Sequence, residues 1–179
     1  MFRYIVYRQS YTLSCMFYVI MGVSGTGKST IGKLLSDRTG WNFYDADDFH
    51  PLANIVKMES GMPLTDGDRL PWLKKLQQLI TRSLQQDRSG ILACSALKAD
   101  YRQILRDGRD EVVFIYLRGD YSCIQTRILQ RIGHFMSADL LRSQFDTLEE
   151  PEDAIVVDVS LSPDIIVEEI IDRIGYTNS

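Results

Sequence analysis

Cysteine is scarce in this sequence, and the few that occur are poorly placed for a structural role. Cys15, Cys94 and Cys123 are the 3 cysteines in 179 residues. Their odd number, wide separation and lack of Cys-x-x-Cys spacing argue against both a disulfide framework and a zinc site, and fit a reducing cytoplasm. Positive charge is not concentrated anywhere either. Lys and Arg total 20 against 24 Asp and Glu, a net charge of −4, and no basic block is available to track a phosphate backbone, so nucleic acid is not an expected partner. Long hydrophobic runs are absent as well. The stretch Cys15 to Val23 is too short to span a bilayer, which removes a membrane from the expected partners. The first fifteen residues carry two arginines and no acid, but they lack the apolar core and small-residue cleavage site of a secretory signal. Residues 1–15 are read as an N-terminal extension or a misassigned start, and 16–179 as a single domain.

What is present is 45% hydrophobic residues, enough for a core in one domain of this length. From residue 16 onward short apolar runs alternate with amphipathic stretches, the pattern of an α/β fold whose parallel sheet is covered by crossover helices on both faces. The strands are expected at 16–22, 42–45, 90–94, 111–117 and 154–159. A helix is predicted to start near Asp68, with Trp72, Leu76, Leu79 and Leu84 on one face and Pro71 in its first turn. Another begins around Asp120, placing Ile124 and Ile128 inward and Arg127 and Arg131 together on a second face.

The segment Gly22-Val23-Ser24-Gly25-Thr26-Gly27-Lys28-Ser29 matches the Walker A pattern throughout, with an apolar strand before it and a helix after it. A backbone wrapping around a triphosphate needs positive φ angles and close approach, which glycine allows. Lys28 would reach the β- and γ-phosphates and Ser29 would ligate magnesium, with Thr30 extending the loop into the helix. ATP and Mg²⁺ are thus the expected cofactors.

The second strand ends in Tyr44-Asp45-Ala46-Asp47-Asp48-Phe49-His50. Carboxylates here lie at the carboxyl end of a strand beside the phosphate loop, where α/β sheets bind ligands. Asp45 and Asp47 share a side in an extended chain, one to hold the magnesium hydration shell and the other to take a proton from an attacking hydroxyl. Asp47 is the candidate base and Asp45 the candidate magnesium residue, although the spacing leaves both assignments open. Acids after a strand also cap helices, and Asp48 is the candidate for that role.

Further along, the sequence resembles the gluconokinase family. The residues that carry the resemblance are Asp45 to Pro51; Asn54 to Leu73, with Lys57, Gly61, Pro63, Asp66, Asp68 and Arg69; Cys94-Ser95-Ala96-Leu97-Lys98 with Tyr101-Arg102; and Arg127, Arg131, Gly133-His134-Phe135, Gln144-Phe145 and Leu148 to Pro151. The resemblance implies a P-loop three-layer sandwich like that of the nucleoside-monophosphate and shikimate kinases, with a mobile lid at about 127–140. It implies ATP-dependent phosphorylation of D-gluconate to 6-phospho-D-gluconate, an acceptor-binding segment over 45–72 and a homodimer. A linear polyol acid needs a cation for its carboxylate and polar partners for its hydroxyls. The candidates in the matching segments are Asp47, His50, Lys57, Arg69, Ser95, Lys98, Arg102 and His134. Each of the cations is also readable as an ordinary solvated charge.

Arg127 and Arg131 look like the arginines of a kinase lid, closing positive charge onto the transferring group. Ser160 to Pro163, after the last strand, is the candidate wall for adenine. Related kinases of the same fold are the nearest rivals. A nucleotide-dependent switch is another, but none of Asn42, Asn54 and Asn178 begins the Asn-Lys-x-Asp segment that accompanies guanine specificity.

Overall fold

The computed structural model describes residues 15–130 and 138–177. Strand β1 (Phe17–Met21) is buried at every position. Phe17, Val19 and Met21 belong to the core on one face of the sheet, and Tyr18 and Ile20 to the core on the other. A strand covered on both sides has no solvent face, which is why it reads as a continuous apolar run. It pairs in parallel with β3 (Gly90–Ala93) and β4 (Val112–Arg118). Beyond them, β2 (Asn42–Asp45) joins β3 and β5 (Ile155–Asp158) joins β4, giving the order β2-β3-β1-β4-β5. The strand limits follow the expected ones to within one residue at each end.

Helices α1 (Lys28–Thr39), α5 (Tyr121–Leu129) and α7 (Pro163–Ile174) supply Ile31, Leu35, Ile124, Ile128, Ile166 and Ile170 to one core. Helices α3 (Asp66–Gln85) and α4 (Ala99–Arg106) supply Trp72, Leu76, Ile80, Tyr101 and Leu105 to the other. The result is the expected three-layer sandwich. Two further helices, α2 (Leu52–Glu59) and α6 (Ala138–Thr147), complete the set of α-helices among the described residues.

Helix α3 differs from its sequence reading at its start. It begins at Asp66, because Thr65 and Asp68 form a reciprocal capping box: Thr65 Oγ1 accepts from Asp68 N at 3.2 Å, and Asp68 Oδ2 accepts from Thr65 N at 2.9 Å. Asp68 and Arg69 are therefore its third and fourth residues rather than its first. Pro71 becomes its sixth residue, beyond the first turn, so the bond from residue 71 to the Gly67 carbonyl is missing. The buried stripe is Trp72, Leu73, Leu76 and Ile80, while Leu79 and Leu84 are half-buried at its margin.

Close packing of α1 on the edge strand depends on Gly32, where a Cβ would lie 2.3 Å from the Phe43 ring. Gly32→Ala is expected to lower unfolding stability by about 1–3 kcal/mol through overpacking, despite the better helix propensity of alanine, as read by urea denaturation.

Candidate active site

Strand β1 stops at Met21, and the chain turns through Gly22–Gly27 into α1. Gly22 and Gly25 have φ of 141° and 87°. A Cβ at Gly22 would meet the Leu117 carbonyl oxygen at 2.8 Å, and one at Gly25 would meet Ile128 at 2.8 Å. Both sites thus demand glycine on two counts. Thr26 Oγ1 donates to the Val23 carbonyl at 2.9 Å, and Lys28 Nζ lies over the loop, donating to the Gly22 and Val23 carbonyls at 3.0 and 3.1 Å. The first turn of α1 carries no acid, so the positive end of the helix remains available to an anion.

The loop forms one wall of a cleft of about 340 Å³. Ser24, Gly25, Gly27, Lys28, Ser29 and Thr30 line it together with Asp45, Asp47 and Ser95. Parallel pairing sets this convergence: β2, β3 and β1 all end at the same edge of the sheet, and the chain runs from β1 to β2 and β3 on one side of it before crossing to β4 on the other. Ser29 Oγ donates to Asp45 Oδ2 at 2.6 Å, and the Asp47 amide donates to Asp45 Oδ1 at 3.2 Å. Asp45 is therefore the residue that caps the 3-10 turn Ala46–Phe49. Asp48 does not cap the next helix, because α2 follows Pro51 with no side-chain cap at all.

Asp47 has its pKa raised, first by the protein packed around it and next by the charge of Asp45; His50 and Lys28 pull it back, while Asp48 adds to the rise. The Asp47 side chain is nevertheless 90% exposed, so solvent screens most of this effect and only its upward direction stands. His50 has its pKa lowered, chiefly by burial.

The cations expected on the acceptor side are tied into the protein. Arg102 is buried, and its Nη1 donates to the Ala96 and Leu97 carbonyls at 3.0 Å each, holding the loop after β3 where Ala96 has a φ of 43°. Lys98 Nζ lies 2.8 Å from both carboxylate oxygens of Asp66, to which Tyr101 also donates. Lys57 Nζ donates to Asp68 at 2.6 Å, and that bond, with those from Thr65, holds the Asp68 carboxyl at about 2. Arg69 donates to the Leu64 carbonyl, and its charge acts on His50, Asp66 and Tyr101.

Arg127 lies on the other side of the phosphate loop from Asp47. It donates to the Val159 carbonyl and lines a second cavity, of about 290 Å³, with Gly25, Thr26, Thr30, Leu161 and Pro163. This cavity includes part of the segment read as an adenine wall. Arg131 and His134 lie outside the described residues, as do positions 131–137 of the expected lid.

Gln144, absent from the candidate list, clasps the phosphate loop from α6. Its Oε1 accepts from Ser24 N at 2.7 Å, and its Nε2 donates to Ser24 Oγ at 3.0 Å. Five residues on, Glu149 accepts from Ala99 N at 2.6 Å, and its own amide donates to the Leu97 carbonyl at 2.9 Å. One segment thus grips both the loop after β1 and the loop after β3. Because Gln144 and Ser24 are 120 positions apart, no local pattern announces the contact; its one sequence signal is that Gln144-Phe145 belongs to the family-like block.

Comparison with known proteins agrees with this architecture. The shikimate kinase family matches residues 24–175. A probable gluconokinase of Xenopus tropicalis is 44% identical over 173 residues, covering 87% of this chain and 91% of that one. The thermosensitive gluconokinase of Escherichia coli is 44% identical over 147 residues, covering 80% and 79%. The crystal structure of a gluconokinase from Sinorhizobium meliloti superposes with a TM-score of 0.82 at 37% identity, covering 90% of this chain and 93% of the other.

Replacing Gln144 with alanine removes both bonds to Ser24 and leaves a loop amide unpaired. It is expected to weaken nucleotide binding about tenfold, measured by calorimetry, with little change in overall fold by circular dichroism.

Proposed function

The chain belongs to the gluconokinase family of P-loop kinases, and we propose that it transfers the γ-phosphoryl group of ATP to the 6-hydroxyl of D-gluconate. The observation that carries the reading is the placement of the Asp47 carboxylate in the same cleft as the phosphate loop and the Ser29–Asp45 pair. The loop amides, Lys28 and the α1 N-terminus bind the β- and γ-phosphates, and the cavity bounded by Arg127, Leu161 and Pro163 takes the base end of the nucleotide.

The donor set suits magnesium. A serine hydroxyl and one carboxylate, 2.6 Å apart, are what a hard cation completes with phosphate oxygens and water. Among the described residues no three His, Cys, Asp or Glu side chains gather as a self-sufficient metal site. Ser29 and Asp45 would hold the ion, which when bound neutralises phosphate charge. This leaves Asp47 to accept the proton of the attacking hydroxyl, and its raised pKa makes it a stronger base than a free aspartate. Arg69 is the cation proposed for the gluconate carboxylate, because its field reaches His50 and Tyr101 on the acceptor side. Ser95, at the end of β3 and inside the cleft, and Lys98 beside it are proposed to meet the substrate hydroxyls. Arg102 serves them by holding the loop that carries both.

With ATP and magnesium, ADP release should depend on D-gluconate; equal turnover with shikimate, nucleoside monophosphates or no acceptor would sink the assignment. Asp47→Asn should lower kcat by roughly 10²–10⁴. A carboxyl whose folded pKa is raised opposes folding where it is ionised, above its unfolded value, and that opposition fades as pH falls through the folded value. The same variant is therefore expected to melt slightly higher at neutral pH. In the unaltered enzyme, the acid limb of kcat/KM should lie above the ordinary aspartate value of 3.8.

A further inference from the structure

His50 is held more tightly than a surface histidine needs to be. Its ring lies flat on Trp72, with centroids 4.4 Å apart and planes 12° from parallel, and only 6% of its side chain is exposed. Trp72 is fixed in turn by a 2.8 Å bond from Nε1 to the Ala46 carbonyl. The plane of the imidazole is thus set by stacking, and both ring nitrogens have neighbours. Asn54 Nδ2 is 3.4 Å from Nδ1, and Asp47 Oδ1 is 3.9 Å from Nε2.

The proton position follows from a chain of one-way hydrogen bonds. The Asp68 carbonyl oxygen accepts and cannot donate, and it lies 2.9 Å from the buried Asn54 amide. The NH₂ end of Asn54 must therefore face it, which settles the orientation of the amide. The second hydrogen of that NH₂ is left for His50 Nδ1, which must accept it through a lone pair. A neutral imidazole accepting at Nδ1 carries its proton on Nε2, the nitrogen turned toward Asp47.

We propose that Asn54 is a positioning residue that holds His50 as its neutral Nε2–H tautomer, creating a fixed hydrogen-bond donor beside Asp47 for a hydroxyl oxygen of the polyol substrate. Two charged groups act on the ring: Arg69 opposes its protonation and Asp47 favours it. A doubly protonated ring would set an N–H against the Asn54 NH₂, so the same amide that selects the tautomer also disfavours the cation. A donor fixed by stacking loses little entropy on binding and is left unpaired by an analogue lacking the matching hydroxyl, which is how a site rejects such analogues.

The tautomer does not depend on the substrate assignment; only the choice of polyol rests on the gluconate reading. The chain has 2 histidines, so a long-range ¹H–¹⁵N correlation spectrum of the full protein shows two ring systems, and His134→Gln assigns them. The expected result is a protonated Nε2 and a bare Nδ1 for His50 near neutral pH. A proton on Nδ1, or averaging between tautomers, overturns the proposal before any variant is made. Asn54→Asp should move the proton onto Nδ1. In kinetics, His50→Gln places an amide nitrogen near the Nε2 position and His50→Asn does not. The Asn variant should therefore show a gluconate KM about tenfold above that of the Gln variant, with the KM for ATP alike in both. Equal loss in the two variants removes the donor role. Failure of the unaltered enzyme to use gluconate sinks the substrate assignment while the spectrum still decides the tautomer.

Discussion

A chain that wraps its own amides around an anion has to bring backbone where side chains would otherwise stand, and this constraint shapes the centre of the molecule. At Gly22 and Gly25 the loop passes within contact distance of Leu117 and Ile128, so it is moulded onto β4 and α5 as well as around the cleft. Those neighbours are core residues. The phosphate loop is consequently built on the most buried part of the sheet, where β1 has partners on both sides and cover on both faces. The buried Thr26 and the Lys28 bonds to the Gly22 and Val23 carbonyls brace it from within. A loop supported in this way keeps its amides converged with little reorganisation on binding, the property phosphoryl transfer most requires of a protein.

The acceptor side is assembled differently. Its chemical groups come from the ends of β2 and β3, and from helices attached to them by polar contacts. The Thr65–Asp68 capping box, the Lys57–Asp68 and Lys98–Asp66 pairs and the buried Arg102 form a frame in which most of the charge is already committed. Exposed pairs of this kind contribute little stability. Their effect is geometric: they hold α3, whose Trp72 backs His50. An acidic protein that handles an anionic sugar acid gains from such pairing, since unpaired cations would attract phosphates and carboxylates indiscriminately.

Donor and acceptor halves meet through the segment from Gln144 to Glu149. It bonds to Ser24 on the phosphate loop and to Leu97 and Ala99 on the loop after β3. Any displacement of α6 is therefore felt in both halves.

The sequence by itself determined the five parallel strands, the phosphate loop and the pair of acids after β2. These rest on local rules: continuous apolar runs for strands buried on both faces, and glycines spaced for a tight turn before a helix. The family-like blocks carried the substrate class, in keeping with 43–46% identity to several gluconokinases over most of the chain. Tertiary structure decided what each polar side chain does. Arg102 reads as a substrate cation and is buried, bonded to the loop after β3; Asp68 reads as the start of a helix and is its third residue, within the capping box. Asp45 caps the 3-10 turn after β2, the helix expected to be capped by Asp48 has no side-chain cap, and Gln144 reaches a loop 120 residues away. The reason is one of range. Backbone pattern is set by neighbours along the chain, whereas the partner of a charge or an amide is whatever the folded chain brings within about 3 Å of it, and no spacing in the sequence records that.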